Sequence, residues 1–134
     1  MEMEIVFPGG ARVDALMGPH TVVTNQDGSA PAPFSLFLAS IGTCAGIYVL
    51  GFCQHRNLPT DGIKIVQRVI PDPNTRMIDT IQLDIVVPPS FPEKYRDALV
   101  RAADQCAVKK HLENPPQFEV RTRVELGPRA GVDA

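Results

Sequence analysis

The chain has 134 residues, the length of one domain. Its 44% hydrophobic and 21% charged content is ordinary for a globular protein. A net charge of −2 and a pI near 5.9, with no basic stripe anywhere, speak against a nucleic-acid partner.

The chain opens with MEMEIVF, which is acidic and short. It has neither the basic nor the apolar region of a secretory signal. Glu2 to Phe7 reads as a strand that ends in the turn Pro8-Gly9-Gly10. Ala11 to Met17 and Thr21 to Asn25 follow as two further strands, with Gly18-Pro19 between them. Asp27-Gly28-Ser29, with Pro31 and Pro33, forms a loop that leads into a helix, and Pro33 suits the first turn. That helix is predicted to run to about Asn57, where Leu58-Pro59-Thr60-Asp61-Gly62 stops it. Ile63, Ile65 and Val69 alternate with Lys64 and Arg68, a half-buried strand. Pro71-Asp72-Pro73-Asn74 is a turn, and Ile81, Leu83, Ile85 and Val87 complete a hairpin. Glu93 to Gln105 has helical spacing, with Tyr95, Leu99 and Ala102 on one face. Phe118, Val120, Thr122, Val124 and Leu126 alternate with charged residues and predict a final strand. Residues 127–134 are predicted to be a disordered tail. The fold class is α+β, with residues 1–126 as a single domain.

The segment from Phe34 to Cys53 carries no charge. It has about the length of a membrane span, but it is rich in Ser, Thr and Gly, lacks flanking Trp and a basic cluster, and precedes soluble β-structure. The preferred reading is a buried core helix. A helix apolar on every side must be buried on every side. A domain of this size does not readily wrap one, so a second copy covering the remaining face is expected. Gly42 and Gly46, four apart, would let another backbone come close.

No phosphate loop, HExxH, CxxC or GxSxG is present. His20, His55 and His111 are scattered, and Cys53-Gln54-His55 has no second half, so neither a metal site nor a cofactor is expected. The chemistry then rests on Cys44, Cys53 and Cys106. Three cysteines without dense spacing describe a cytoplasmic protein with free thiols rather than a secreted disulfide framework. Cys44 and Cys53 lie nine residues apart on the helix, roughly 13 Å of rise and half a turn of phase. A disulfide needs Cα atoms within about 7 Å, so these two cannot bond while the helix is intact. Cys106 is the other candidate partner; Lys109, Lys110 and His111 just beyond it would favour a thiolate if they folded back. Cys44 has no charged neighbour in sequence and must borrow a positive group from elsewhere in the fold. Each cysteine on its own also reads as a small buried hydrophobe.

Pro33 opening a long apolar helix that reaches Cys44 through Ser40-Ile41-Gly42-Thr43 resembles the OsmC/Ohr family. So does a second cysteine 62 residues on, in Cys106-Ala107-Val108 after a charged helix. The order of elements and the hairpin between the helices also match, over most of the chain. The resemblance implies a thiol-dependent peroxidase that reduces organic hydroperoxides. It implies an intertwined homodimer with two long helices at its centre and active sites at the subunit interface. Cys44 is similar to the peroxidatic cysteine and Cys106 to the resolving one, with a dithiol reductant such as a lipoyl protein restoring both. An arginine of the N-terminal strands stabilises the thiolate in this family, and Arg12 is the candidate. The family's glutamate ten residues before the peroxidatic cysteine is replaced here by Phe34, and Asp14 or Glu2 remains to hold the arginine. Phe34, Phe37 and Tyr48 suit an apolar binding pocket or core packing equally. The alternative function is a non-catalytic dimer that binds an apolar or thiol-bearing small molecule at the interface. Cys53 is structural in either case.

Overall fold

The computed structural model describes residues 1–125. Three strands, β1 (Glu4–Gly9), β2 (Arg12–Met17) and β3 (His20–Asn25), form an antiparallel meander in sequence order. Gly18 adopts φ +53°, which lets the chain reverse over Gly18-Pro19 before Met17 pairs with His20. The register brings Val6 and Val23 to either side of Asp14.

The long helix α1 (Pro33–His55) follows. It starts on Pro33, whose missing N–H would be unpaired there in any case. It ends where Asn57 takes φ +53° and the N–H of Leu58 returns to the carbonyl of Cys53 at 2.9 Å. Strands β4 (Lys64–Pro71) and β5 (Ile78–Val86) make a two-stranded antiparallel hairpin. Ile65 pairs with Ile85, Gln67 with Leu83 and Val69 with Ile81, so these six residues share one face. A 3-10 turn at Glu93–Tyr95 leads into α2 (Arg96–Ala103), and α3 (Ala107–Glu113) follows.

The core lies between the C-terminal half of α1, α2 and the base of the hairpin. Val49, Phe52, Cys53, Phe91 and Leu99 are buried together, with Leu58, Ile63, Ile65, Ile85 and Tyr95 among the residues packed around them. Burying a side chain such as Leu99 contributes about 2 kcal/mol. Arg56 closes the end of α1. Its guanidinium lies 3.6 Å from the centre of the Phe52 ring and 5.5 Å from that of Tyr95. The N-terminal sheet contributes nothing to this cluster.

Three features depart from the sequence reading. The predicted helix Glu93 to Gln105 breaks at Asp104 and Gln105, and α3, which the sequence did not announce, begins after Cys106. The predicted last strand is not formed: residues 115–125 carry no regular structure, lie exposed and pair with neither sheet, although both sheets have open edges. Leu126 and the tail 127–134 fall outside the described residues. As expected of a domain too small to wrap this helix, one chain buries only one stripe of α1, Ile41, Ala45, Val49, Phe52 and Cys53, while Phe34, Phe37, Ile47 and Leu50 stay exposed. Gly42 and Gly46 face side chains of β4 rather than another backbone. A Cβ on Gly42 would stand 2.5 Å from Gln67 Oε1, and one on Gly46 would stand 3.9 Å from Ile65 Cδ1.

Candidate functional site

The turn of α1 between Ile41 and Ala45 meets the start of α3. Cys106 is the residue before the first turn of α3, with extended backbone angles of φ −52° and ψ 127°. The N–H groups of a first helical turn have no partner within their own helix. Here two sulfur atoms serve them. The backbone N–H groups of Val108 and, to a smaller extent, Ala107 act on the Cys44 sulfur, as does the Cys106 thiol. The Cys106 sulfur is served by the N–H groups of Lys109 and Val108, and its thiol also points toward the Ile41 carbonyl at 3.9 Å.

These contacts separate the two thiols electrostatically. The Val108 N–H, then the Cys106 thiol, hold the Cys44 pKa below the ordinary cysteine value against the opposing effect of burial. Burial pushes the Cys106 pKa up, and the neighbouring Cys44 adds to the rise. Exposure runs in the same sense: Cys106 is 2% exposed, whereas Cys44 is only half-buried. Cys53 is fully buried in the core and its thiol is raised by that burial.

Lys109 feels the Cys106 sulfur only as a minor influence, and neither lysine side chain is among the groups that lower the Cys44 pKa. Lys109 is engaged by the Asp104 carboxylate, which raises its pKa. Cys44 is instead held in its low range by backbone dipoles. The pattern of residue types gives no sign of this, because it depends on where a short helix begins.

Arg12 lies on β2 and is paired with Asp14. Its Nε donates to Asp14 Oδ1 at 2.9 Å and its Nη2 to Oδ2 at 2.7 Å. Asp14 is 3% exposed, and the guanidinium lowers its pKa. Asp14, one of the two candidates left open by the sequence, is thus the acid that holds Arg12. The structure gives this pair no hydrogen bond to either thiol. Phe34 and Phe37 stack obliquely on the open side of α1 with ring centres 5.4 Å apart, and Tyr48 is half-buried one turn beyond Cys44. None of the three lines the cleft beside Cys106.

That cleft, of about 690 Å³, lies between the inner face of the hairpin and the helices. Ile81, Leu83 and Ile85 form one wall and Val100 and Ala103 the other, with Ile41, Ala45 and Cys106 toward the thiol pair. Among the described residues no three His, Cys, Asp or Glu side chains assemble into a metal-binding group.

Comparison with known proteins gives the same frame. The sequence profile of the family described as OsmC-like protein matches residues 26–121, well over half of the chain. Among curated proteins no sequence match was found. Among solved structures the chain is similar to an osmotic stress induced and detoxification response protein, so described, from Psychrobacter arcticus 273-4. The TM-score is 0.67 at 16% identity, over 81% of this chain and 85% of that one. It is also similar to a hypothetical protein from Aquifex aeolicus VF5, with a TM-score of 0.63 at 17% identity, over 87% of this chain and 89% of that one. At these identities the likeness concerns the fold.

Proposed function

The chain belongs to the OsmC-like family, and from that premise we propose that it is a thiol-dependent peroxidase that reduces organic hydroperoxides. Membership supports a stress-related, peroxidase-like function at the level of the family; the residue roles below are our reading. The observation that carries it is the asymmetry of the thiol pair. Cys44 is the more exposed sulfur with the lowered pKa, and Cys106 is the buried sulfur beside it with the raised pKa.

In this reading the Cys44 thiolate attacks the distal peroxide oxygen. The O–O bond breaks, Cys44 becomes a sulfenic acid, and the alkoxide leaves as an alcohol after taking up a proton. The Cys106 thiol then displaces the hydroxyl of the sulfenic acid, which forms the disulfide and releases water. A dithiol reductant, such as a lipoyl group on a protein, returns both thiols by exchange, with the low-pKa Cys44 as the better leaving group. Arg12, oriented by Asp14, is the side chain that would stabilise the thiolate or the departing oxygen. We place the protein in the cytoplasm as a homodimer. The exposed Phe34, Phe37, Ile47 and Leu50 on α1, and Ile5 and Phe7 on β1, support a covering partner.

The test is intact mass and free-thiol count of the reduced wild-type protein after one equivalent of cumene hydroperoxide. Loss of two thiols and about 2 Da, abolished by Cys44→Ser, is expected. In Cys106→Ser the expected product is a sulfenic acid, about 16 Da heavier. Unchanged thiols in the wild type would sink the peroxidase reading. The second reading, a dimer that binds an apolar or thiol-bearing molecule without turnover, would then take over. It draws support from Phe34 where a glutamate is usual and from the apolar cleft.

A further inference from the structure

The cleft beside the thiol pair has a chemistry of its own. About 690 Å³ is the volume of a small-molecule site, and its walls are built from isoleucine, leucine, valine and alanine. Four charged side chains reach it: Asp79, Asp84, Asp104 and Lys109. The single cation among them is already engaged, since Lys109 is ion-paired with Asp104. Asp84 is paired at 2.6 Å with Arg68, which lies outside the lining. Asp79 receives the Thr80 hydroxyl at 3.2 Å and, among the described residues, pairs with no cation. A ligand entering this cleft therefore meets an apolar surface bordered by net negative charge.

From this we propose that the cleft binds the hydrocarbon part of an uncharged or cationic ligand and discriminates against anionic ones, carboxylates above all. A carboxylate carried into an apolar cleft loses its water and needs a cation or several donors in return. Here the available cation is taken, and the unpaired group repels it. An alkyl or aryl group, an alcohol or an ester loses little, and an ammonium group gains from Asp79. Cys106, Ile41 and Ala45 line the cleft next to Cys44, whose sulfur lies beside the lining rather than in it. The inference rests on the peroxidase reading only for the ligand's reacting end: the molecule bound would be a neutral hydroperoxide rather than a fatty-acid hydroperoxide.

The test needs no turnover. The reduced, full-length protein, labelled with nitrogen-15, is titrated with 1-octanol, octanoate and octylammonium, which share one chain and differ in charge. Octanol and octylammonium should shift the amides of Ile81, Leu83, Val100 and Ala103. Octylammonium should bind at least about threefold more tightly than octanoate, by a margin that shrinks with added salt. Asp79→Asn should narrow the margin between the two ions and leave octanol unchanged. Octanoate binding as tightly as octylammonium overturns the proposal. So does a set of cleft amides that answers to none of the three, or one that moves only with protein concentration, which would put a second copy in the cleft. Because no peroxide is present, a protein that fails this titration can still pass the thiol count, and the reverse.

Discussion

The N-terminal sheet and the thiol site treat charge in opposite ways. In the sheet, charge is explicit: Arg12 and Asp14 face each other two residues apart on β2 and share three short hydrogen bonds. At the thiols the side-chain cation Lys109 is engaged chiefly by Asp104 and interacts with the Cys106 sulfur only as a minor influence. Cys44 is held in its low range by the N–H of Val108 and the thiol of Cys106. The two regions also differ in support. The thiol site rests on α1, α3 and the buried core next to them, while the sheet adds no residue to that core. The groups that lower the Cys44 pKa thus belong to one chain, and Arg12 is not among them.

The largest effect separates the two cysteines outright. Cys44→Ser should bring hydroperoxide consumption down to the uncatalysed background, and Cys106→Ser should spare the first turnover while stopping the second. Stopped-flow with cumene hydroperoxide, first in single and then in multiple turnover, reads both. Equal loss in the two variants would erase the asymmetry on which the comparison stands.

The next effect concerns the core below the thiols. Leu99 is 2% exposed and packs with Phe52 and Cys53. Leu99→Ala should cost about 2–5 kcal/mol in urea denaturation. Alkylation of Cys53, fully buried in the native protein, should accelerate in the same variant as its cover opens.

A third prediction concerns pH. The Cys44 pKa lies below the ordinary value, so its alkylation by iodoacetamide should reach half its maximal rate at a lower pH than a free cysteine, and Cys106 at a higher one. If Arg12 acts only on the reaction, Arg12→Ala leaves that midpoint in place and lowers peroxide turnover. If Arg12 supports the thiolate itself, the midpoint rises. Asp14 gives a further signature. Its pKa is lowered by Arg12, so the pair's contribution to stability is present above the unfolded Asp pKa. It is lost as pH falls through the lower folded value. Asp14→Asn should remove that part of the acid sensitivity.

How far the sequence carries these regions differs for physical reasons. Proline, apolar length and the Leu58-Pro59 stop mark α1 well, because propensity and pattern agree there. The alternation in β4 and β5 is equally plain, since one face of the hairpin is covered by helices. Helix α3 escapes notice: none of its seven residues is fully buried, and it begins beside the sulfurs of Cys44 and Cys106 with no side-chain capping bond. Cys44's partners are backbone groups 63 and 64 residues away, at Ala107 and Val108, and no residue type announces them. The segment from Phe118 to Glu125 teaches the converse. Its alternation is real, but a strand exists only beside another strand, and this chain leaves it unpaired.

The smallest effect tests the contact that replaces the second backbone expected at Gly42. Among the six paired residues that share the inner face of the hairpin Gln67 alone is polar; Ile65 and Val69 flank it and Leu83 lies opposite. Its Nε2 donates to the Leu38 carbonyl of α1 at 2.9 Å. Its Oε1 then occupies the space that only a glycine at position 42 leaves open. Gly42→Ala forces the amide to shift and puts that bond at risk, at about 1 kcal/mol. The gain in helix propensity, about 1 kcal/mol, works in the other direction. The net change in stability should therefore be small, while hydrogen exchange in β4 should rise, because the hairpin loses its polar tie to α1. Gln67→Leu removes the same tie without the helix gain and should be the less stable of the two. Unaltered exchange in β4 in both variants would mean that apolar packing alone holds the hairpin. A rise confined to Gly42→Ala would point to a steric shift of the strand rather than to loss of the bond.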